Sequence, residues 1–158
     1  MTRKKNFVFL ILFLALLQVT FLQYFRIFGI KPDLFLICVV ISSLYFEVVY
    51  ALAMSLLCGI LKDTFSIGIF GINTFFFPIL SFLVMKLSRK VDLDNTPVLC
   101  AAAFLVTFFY GIISRIAFSY MGMVIPFWAF LRISLLESLY TALIFPLVIR
   151  VFNKTAHL

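Results

Sequence analysis

The chain has 158 residues, 65% of them hydrophobic and 12% charged, with a mean hydropathy of +1.23. Soluble domains are about 45–50% apolar and about 25% charged, so too little polar material is present to cover a surface in water, and residues 1–158 read as one polytopic membrane domain. The formal net charge of +7 sits at the ends of apolar runs rather than on one face, which excludes a nucleic-acid surface.

The N-terminus, MTRKKNFVFLILFLALLQVTF, has the basic head and apolar stretch of a secretory leader but no small-residue cleavage site. The apolar run continues to Phe25, so residues 7–25 are expected to form a retained first span. Gln18, Thr20 and Gln23 give that span a polar side suited to interhelical hydrogen bonds. Pro32 fits the first turn of a second helix, where its missing N–H costs nothing. As a single helix, residues 33–61 would measure about 43 Å, against a hydrocarbon core of about 30 Å. Divided at Glu47, they give two short runs, 33–46 and 48–61. The remaining spans are 70–87, 97–121 and 127–152, with Pro78 and Pro146 inside helices, as a membrane setting tolerates.

Charge decides the division at Glu47. Six spans place both termini in the cytoplasm, together with Arg3, Lys4, Lys5, Lys86, Arg89, Lys90, Arg150 and Lys154. The outer side then holds Arg26, Lys31 and Lys62. With five spans, the N-terminal RKK and the KLSRK segment would face opposite sides, against the positive-inside rule. The expectation is therefore an all-α integral membrane protein, a six-transmembrane-helix bundle in a cytoplasmic membrane.

Apolar character alone cannot drive association between helices in lipid, whereas close packing of small residues can. Three stripes at four-residue spacing are suited to it: Ala51, Ser55 and Gly59; Ala103, Thr107 and Gly111; Ser134, Ser138 and Ala142. Charged residues within spans need a partner or a cavity. Arg115 shares the helix-five stripe, and two arrangements fit: Arg115 approaches Glu137 across the seam between helices five and six while Arg132 reaches toward the headgroups, or both arginines snorkel and Glu137 is neutral.

No pattern for catalysis emerges. The sole histidine is His157, beside the C-terminus, and neither HExxH nor a P-loop occurs. Cys38, Cys58 and Cys100 lie in or beside apolar runs without metal-site spacing, and read as buried small residues. No enzyme activity, cofactor or metal is expected.

One stretch interrupts the apolar pattern: GILKDTFSIGIFGINTF, residues 59–75. On the six-span topology it is the outer turn between helices three and four. Lys62 and Asp63 are expected to stop helix three, Gly68 and Gly71 to permit unusual backbone angles, and Asn73 to cap helix four. The order Gly59, Asp63, Gly71, Ile72, Asn73 also resembles the MreD family of rod shape-determining membrane proteins. Pro32-Asp33 opening an apolar run, KLSRK after helix four and the closing IFPLVIRVF fit the same family. Lys62 departs from the pattern, which expects an uncharged residue before Asp63.

The resemblance covers nearly the whole chain. It implies a non-catalytic scaffold of the bacterial cell-elongation machinery that guides peripheral wall synthesis. The implied partners are MreC first, then MreB, RodA and a penicillin-binding transpeptidase, directly or indirectly, with membrane lipid around them. It also implies a fold similar to the substrate-binding subunits of energy-coupling-factor vitamin transporters. That similarity supplies an alternative function, with Tyr120, Trp128, Arg115 and Arg132 lining a ligand pocket. The alternative needs small residues on helix one to dock an energising partner, and Ala15 alone meets that need. The expected interface or structural residues are Asp33, Gly59, Asp63, Gly71, Asn73, Arg115, Arg132 and Glu137.

Overall fold

A computed structural model describes residues 2–20, 32–65, 71–88, 96–120 and 126–156. Among the described residues the chain forms six α-helices and no strand. They are α1 (Thr2–Thr20), α2 (Leu34–Tyr45), α3 (Val48–Phe65), α4 (Ile72–Ser88), α5 (Thr96–Tyr120) and α6 (Phe127–Ala156). Among the described residues, three segments are long and apolar enough to cross a membrane: Val48–Phe65, Pro97–Ile116 and Phe127–Phe152.

The chain turns at Phe46–Glu47, between α2 and α3. Phe46 is the C-cap of α2, in extended conformation, and its N–H donates to the Ser42 carbonyl. The Glu47 carbonyl then accepts from Ala51 to start α3. A turn without glycine or proline is possible here because extended Phe46 lets the chain leave α2 and Glu47 begins α3.

The centre of the bundle is α2. Every residue from Leu34 to Ser43 is buried, and α2 touches all five other helices. A helix that is apolar all round belongs in the interior, and this one is only 12 residues, about 18 Å, long. Within α2, Ser42 and Ser43 both donate to the Val39 carbonyl. Ser43 also meets Ser81 of α4, hydroxyl to hydroxyl, at 2.8 Å.

Two helix pairs flank α2. The most extensive contacts are α3 with α4 and α5 with α6. Ala51, Ser55 and Gly59 are buried in α3. A Cβ on Gly59 would stand 2.6 Å from Thr74 Cα and 2.8 Å from the Asn73 carbonyl oxygen, so backbone meets backbone there. In the second pair, Ala103, Thr107 and Gly111 of α5 are buried, and a Cβ on Gly111 would lie 3.1 Å from Ser134 Oγ of α6. Ser134 and Ser138 are buried and Ala142 is half-buried.

Helix ends depart from expectation at one informative place. Lys62 and Asp63 do not stop α3, which continues to Phe65. Gly68 and Gln23 lie outside the described residues.

Substituting Gly59 by alanine should destabilise the protein by about 1–3 kcal/mol, because backbone cannot yield as a side chain can. Gly111→Ala should cost less, since the Ser134 hydroxyl can rotate away. Thermal unfolding of detergent-solubilised protein, followed by size-exclusion chromatography, checks the ranking. Equal melting temperatures for the two variants would contradict it.

Candidate functional site

A helix end buried in an apolar bundle leaves backbone N–H groups that water cannot reach. This chain buries two such ends close together, those of α2 and α4, and surrounds both with polar side chains.

At the start of α4, position N-cap is Gly71, with φ of 106° and no side chain to accept hydrogen bonds. Asp63, from the last turn of α3, takes over that role. Its Oδ1 accepts from Asn73 N at 3.1 Å and Asn73 Nδ2 at 2.7 Å. Its Oδ2 accepts from Gly71 N at 3.0 Å, Thr74 N at 2.8 Å and Thr74 Oγ1 at 2.5 Å. Asp63 is 5% exposed. A carboxylate at a helix N-terminus meets both the orphan donors and the positive end of the helix dipole. Asn73 is thus not the cap of helix four. It lies inside α4, donates its side-chain amide to Asp63, and accepts from the Tyr110 hydroxyl of α5. The glycine at 71 explains the arrangement: its positive φ lets the chain turn into α4, and its missing side chain leaves the cap to Asp63.

The start of α2 is satisfied similarly. Asp33 is its N-cap, with Oδ1 accepting from Leu36 N at 3.3 Å. The Asp33 N–H donates to Thr141 Oγ1 of α6 at 3.2 Å. Phe35 N donates to Gln18 Oε1 of α1 at 3.2 Å. Asp33 is 3% exposed, and its Oδ2 is ion-paired with Lys62 of α3.

Lys62 joins the two halves. Besides Asp33, its ammonium donates to the Tyr110 hydroxyl at 3.1 Å. It stands 4.4 Å from the centre of the Tyr110 ring and 5.2 Å from that of Phe77. Neighbouring helix residues point about 100° apart, so Lys62 turns toward α2 and α5 while Asp63 turns toward α4. The hydrogen bonds run in one consistent direction: Lys62 to Tyr110, Tyr110 to Asn73, Asn73 to Asp63. Thr141 of α6 and Gln18 of α1 close the set, so one buried polar network engages all six helices.

Of the expected residues, Asp33, Asp63, Gly71 and Asn73 are thus brought together, and Gly59 packs directly beneath Asn73 and Thr74. Glu137 is half-buried, within electrostatic range of Lys62 and Tyr110, and its backbone carbonyl accepts from the Thr141 hydroxyl at 2.7 Å. Arg115 is half-buried, its guanidinium carbon 6.0 Å from the Phe130 ring centre. An approach of Arg115 to Glu137 is not among these contacts. Arg132 is exposed, and Trp128 is 81% exposed, so neither lines an enclosed pocket. The Tyr120 side chain lies outside the described residues.

Sequence reasoning missed Lys62 as a member of the site, along with Tyr110, Thr74 and Thr141. Lys62 carried a usable signal: a lysine at the end of an apolar run requires an anion nearby, and the Asp33 that opens the preceding helix is a candidate. The hydroxyl residues carried none, because serines, threonines and tyrosines punctuate every later helix.

The arrangement can hold helices. Each network group has its partner within the protein, and among the described residues no group of His, Cys, Asp and Glu is placed to hold a metal ion.

Fold and site together define an all-helical membrane protein organised around an internal polar network. The family model for rod shape-determining protein MreD matches residues 1–155. The chain belongs to the MreD family, whose members determine rod shape from within the membrane. No curated protein and no solved structure gives a significant match.

Removing one partner of a buried ion pair costs about 3–5 kcal/mol, whereas removing both leaves no orphan charge. Lys62→Met should therefore lower the melting temperature more than the double variant Lys62→Met/Asp33→Asn, in which residue 33 keeps an N-cap side chain. Asp63→Asn should be nearly as damaging as Asp63→Ala, since a carboxamide places donors against donors. Thermal unfolding of the set checks both statements. A double variant weaker than Lys62→Met, or a stable Asp63→Asn protein, would contradict them.

Proposed function

We propose that the chain is a non-catalytic scaffold of the cell-elongation machinery. In this reading it binds MreC, and through it or directly MreB, RodA and a penicillin-binding transpeptidase, so that wall synthesis follows the long axis of the cell. The single observation that carries the reading is the buried network joining all six helices. It makes the bundle one body whose surfaces keep fixed relative positions, as partner docking requires. Membership of a rod shape-determining family gives that body its setting.

We further propose that all six helices are membrane spans. At 12 residues α2 is too short to cross about 30 Å of lipid hydrocarbon alone. It is enclosed by protein, however, and irregular backbone at membrane depth is tolerated where protein surrounds it. The ring contacts of Phe152 with Tyr45 and Phe46 put the end of α6 beside the end of α2. Exposed Arg150 thus sits at the same end of the bundle as exposed Lys86 of α4. By the positive-inside rule this end faces the cytoplasm, along with both termini.

The test is a mild-detergent pull-down of the tagged protein from native membranes, read by mass spectrometry. Recovery of MreC with wall-synthesis proteins is expected. Recovery of a vitamin transporter's coupling subunit and ATPases instead would overturn the scaffold reading. Asn73→Leu, which breaks the link between Tyr110 and Asp63, should cost cells their rod shape when it is the sole copy. Rod-shaped cells with normal membrane levels of that variant would show Asn73 to be dispensable.

A further inference from the structure

The first turns of α6 carry a cation on the surface of the bundle. Arg132 is exposed, and among the described residues it meets no carboxylate and no aromatic ring. Around the helix it stands about 160° from Ser134 and about 180° from Thr141, the buried residues that meet Gly111 of α5 and the start of α2. Trp128, Leu135, Leu139 and Leu143, all exposed, lie within about 60° of Arg132 on the same strip. A charged side chain within a span ordinarily faces the bundle interior or a water-filled cavity. Arg132 does neither, so its partner comes from outside the chain.

Depth and packing say which partner. The apolar segment Phe127–Phe152 has 26 residues, about 39 Å at about 1.5 Å per residue, against a core of about 30 Å. Centred on that core, it leaves its first three residues among the headgroups and the Arg132 backbone about 3 Å inside the hydrocarbon. Side chains on a helix lean toward its N-terminus, so the guanidinium of Arg132 rises toward the phosphate layer. Trp128 stands one turn above it, at the level where indole rings gather and with an N–H to donate. Below Arg132 the strip is leucine. Helices that associate in lipid do so on small residues that let backbones approach, and the strip holds none, whereas acyl chains lie readily along leucine. From Leu135 to Leu143 it measures about 12 Å, close to the depth of one leaflet, half of that core.

We propose that Trp128 and Arg132 form a binding site for the phosphate of an anionic phospholipid in the leaflet at the start of α6, with an acyl chain along Leu135, Leu139 and Leu143. The net charge of the lipid matters because the strip carries no acid to offset Arg132; Glu137 stands about 140° away around the helix. The proposal rests on the membrane setting and not on the scaffold role, so the partner pull-down leaves it untouched.

Trp128 is the sole tryptophan of the chain, so its fluorescence reports on this site alone. The full chain is reconstituted in phosphatidylcholine vesicles containing a minor fraction of phosphatidylglycerol or phosphatidylcholine brominated near the top of identical acyl chains. Quenching should show phosphatidylglycerol concentrated at Trp128 about fivefold over phosphatidylcholine, the equivalent of one ion pair at the membrane surface. Arg132→Gln should remove that preference, whereas Lys86→Gln, at the other end of the bundle, should keep it. Should Arg132→Gln not yield folded protein, the wild-type and Lys86→Gln comparisons decide. Equal quenching by the two lipids in the wild type, or an unchanged preference in Arg132→Gln, would overturn the proposal. A preference lost in Lys86→Gln would overturn it too, by tracing the effect to overall charge. So would a photo-crosslinking residue at position 139 that captures a protein and no lipid in native membranes, which would assign the strip to a partner helix.

Discussion

A cation inside an apolar bundle must find an anion, and the structure depends on how Lys62 does so. Its partner, Asp33, is also the N-cap of the central helix α2. Its helical neighbour, Asp63, caps α4 from outside. One turn of α3 therefore serves the buried ends of two other helices. Tyr110 and Asn73 connect the two caps, and Thr141 and Gln18 bring in α6 and α1. In an apolar surrounding, unsatisfied groups of this kind cost several kcal/mol each. The helices can separate only by exposing them, which gives the bundle a reason to stay assembled that apolar contact cannot supply in lipid.

Small residues work with this network. Gly59 lets α3 approach α4 until backbone meets backbone, and that approach brings Asp63 within reach of the Gly71, Asn73 and Thr74 amides. A larger residue at 59 would separate the helices and lengthen those hydrogen bonds. Packing and polarity are thus coupled: the stripe sets the spacing, and the carboxylate makes use of it. The α5–α6 pair also approaches on small residues. There Gly111 faces Ser134, whose buried hydroxyl has no hydrogen-bond partner among the described residues.

The helical segments could be read from the sequence because hydrophobic runs and basic ends record where chain meets lipid. The turn at Phe46–Glu47 followed from length and charge together, with no glycine or proline to mark it. The gathering of Gly59, Asp63, Gly71 and Asn73 was partly legible, since they lie within fifteen positions of one another in a stretch of unusual polarity. Its internal logic was not. Read locally, Lys62 and Asp63 look like a helix stop and Asn73 like a cap, because at a water interface those are their usual roles. Buried against other helices, the same residues turn to distant partners: Lys62 to Asp33, 29 positions away, and Tyr110 to Asn73, 37 positions away. The central place of α2 was equally hidden, because an apolar helix inside a bundle and one facing lipid have the same composition.

If the network holds the six helices as one body, damage at Lys62 should be felt at a distance. Hydrogen–deuterium exchange of the Lys62→Met protein in nanodiscs tests this most directly. Exchange should rise together at the starts of α2 and α4 and around Thr141 of α6, with the middle of α3 protected as before. An increase confined to the last turn of α3 would contradict the account, leaving Lys62–Asp33 as a local ion pair in a bundle held together by packing alone.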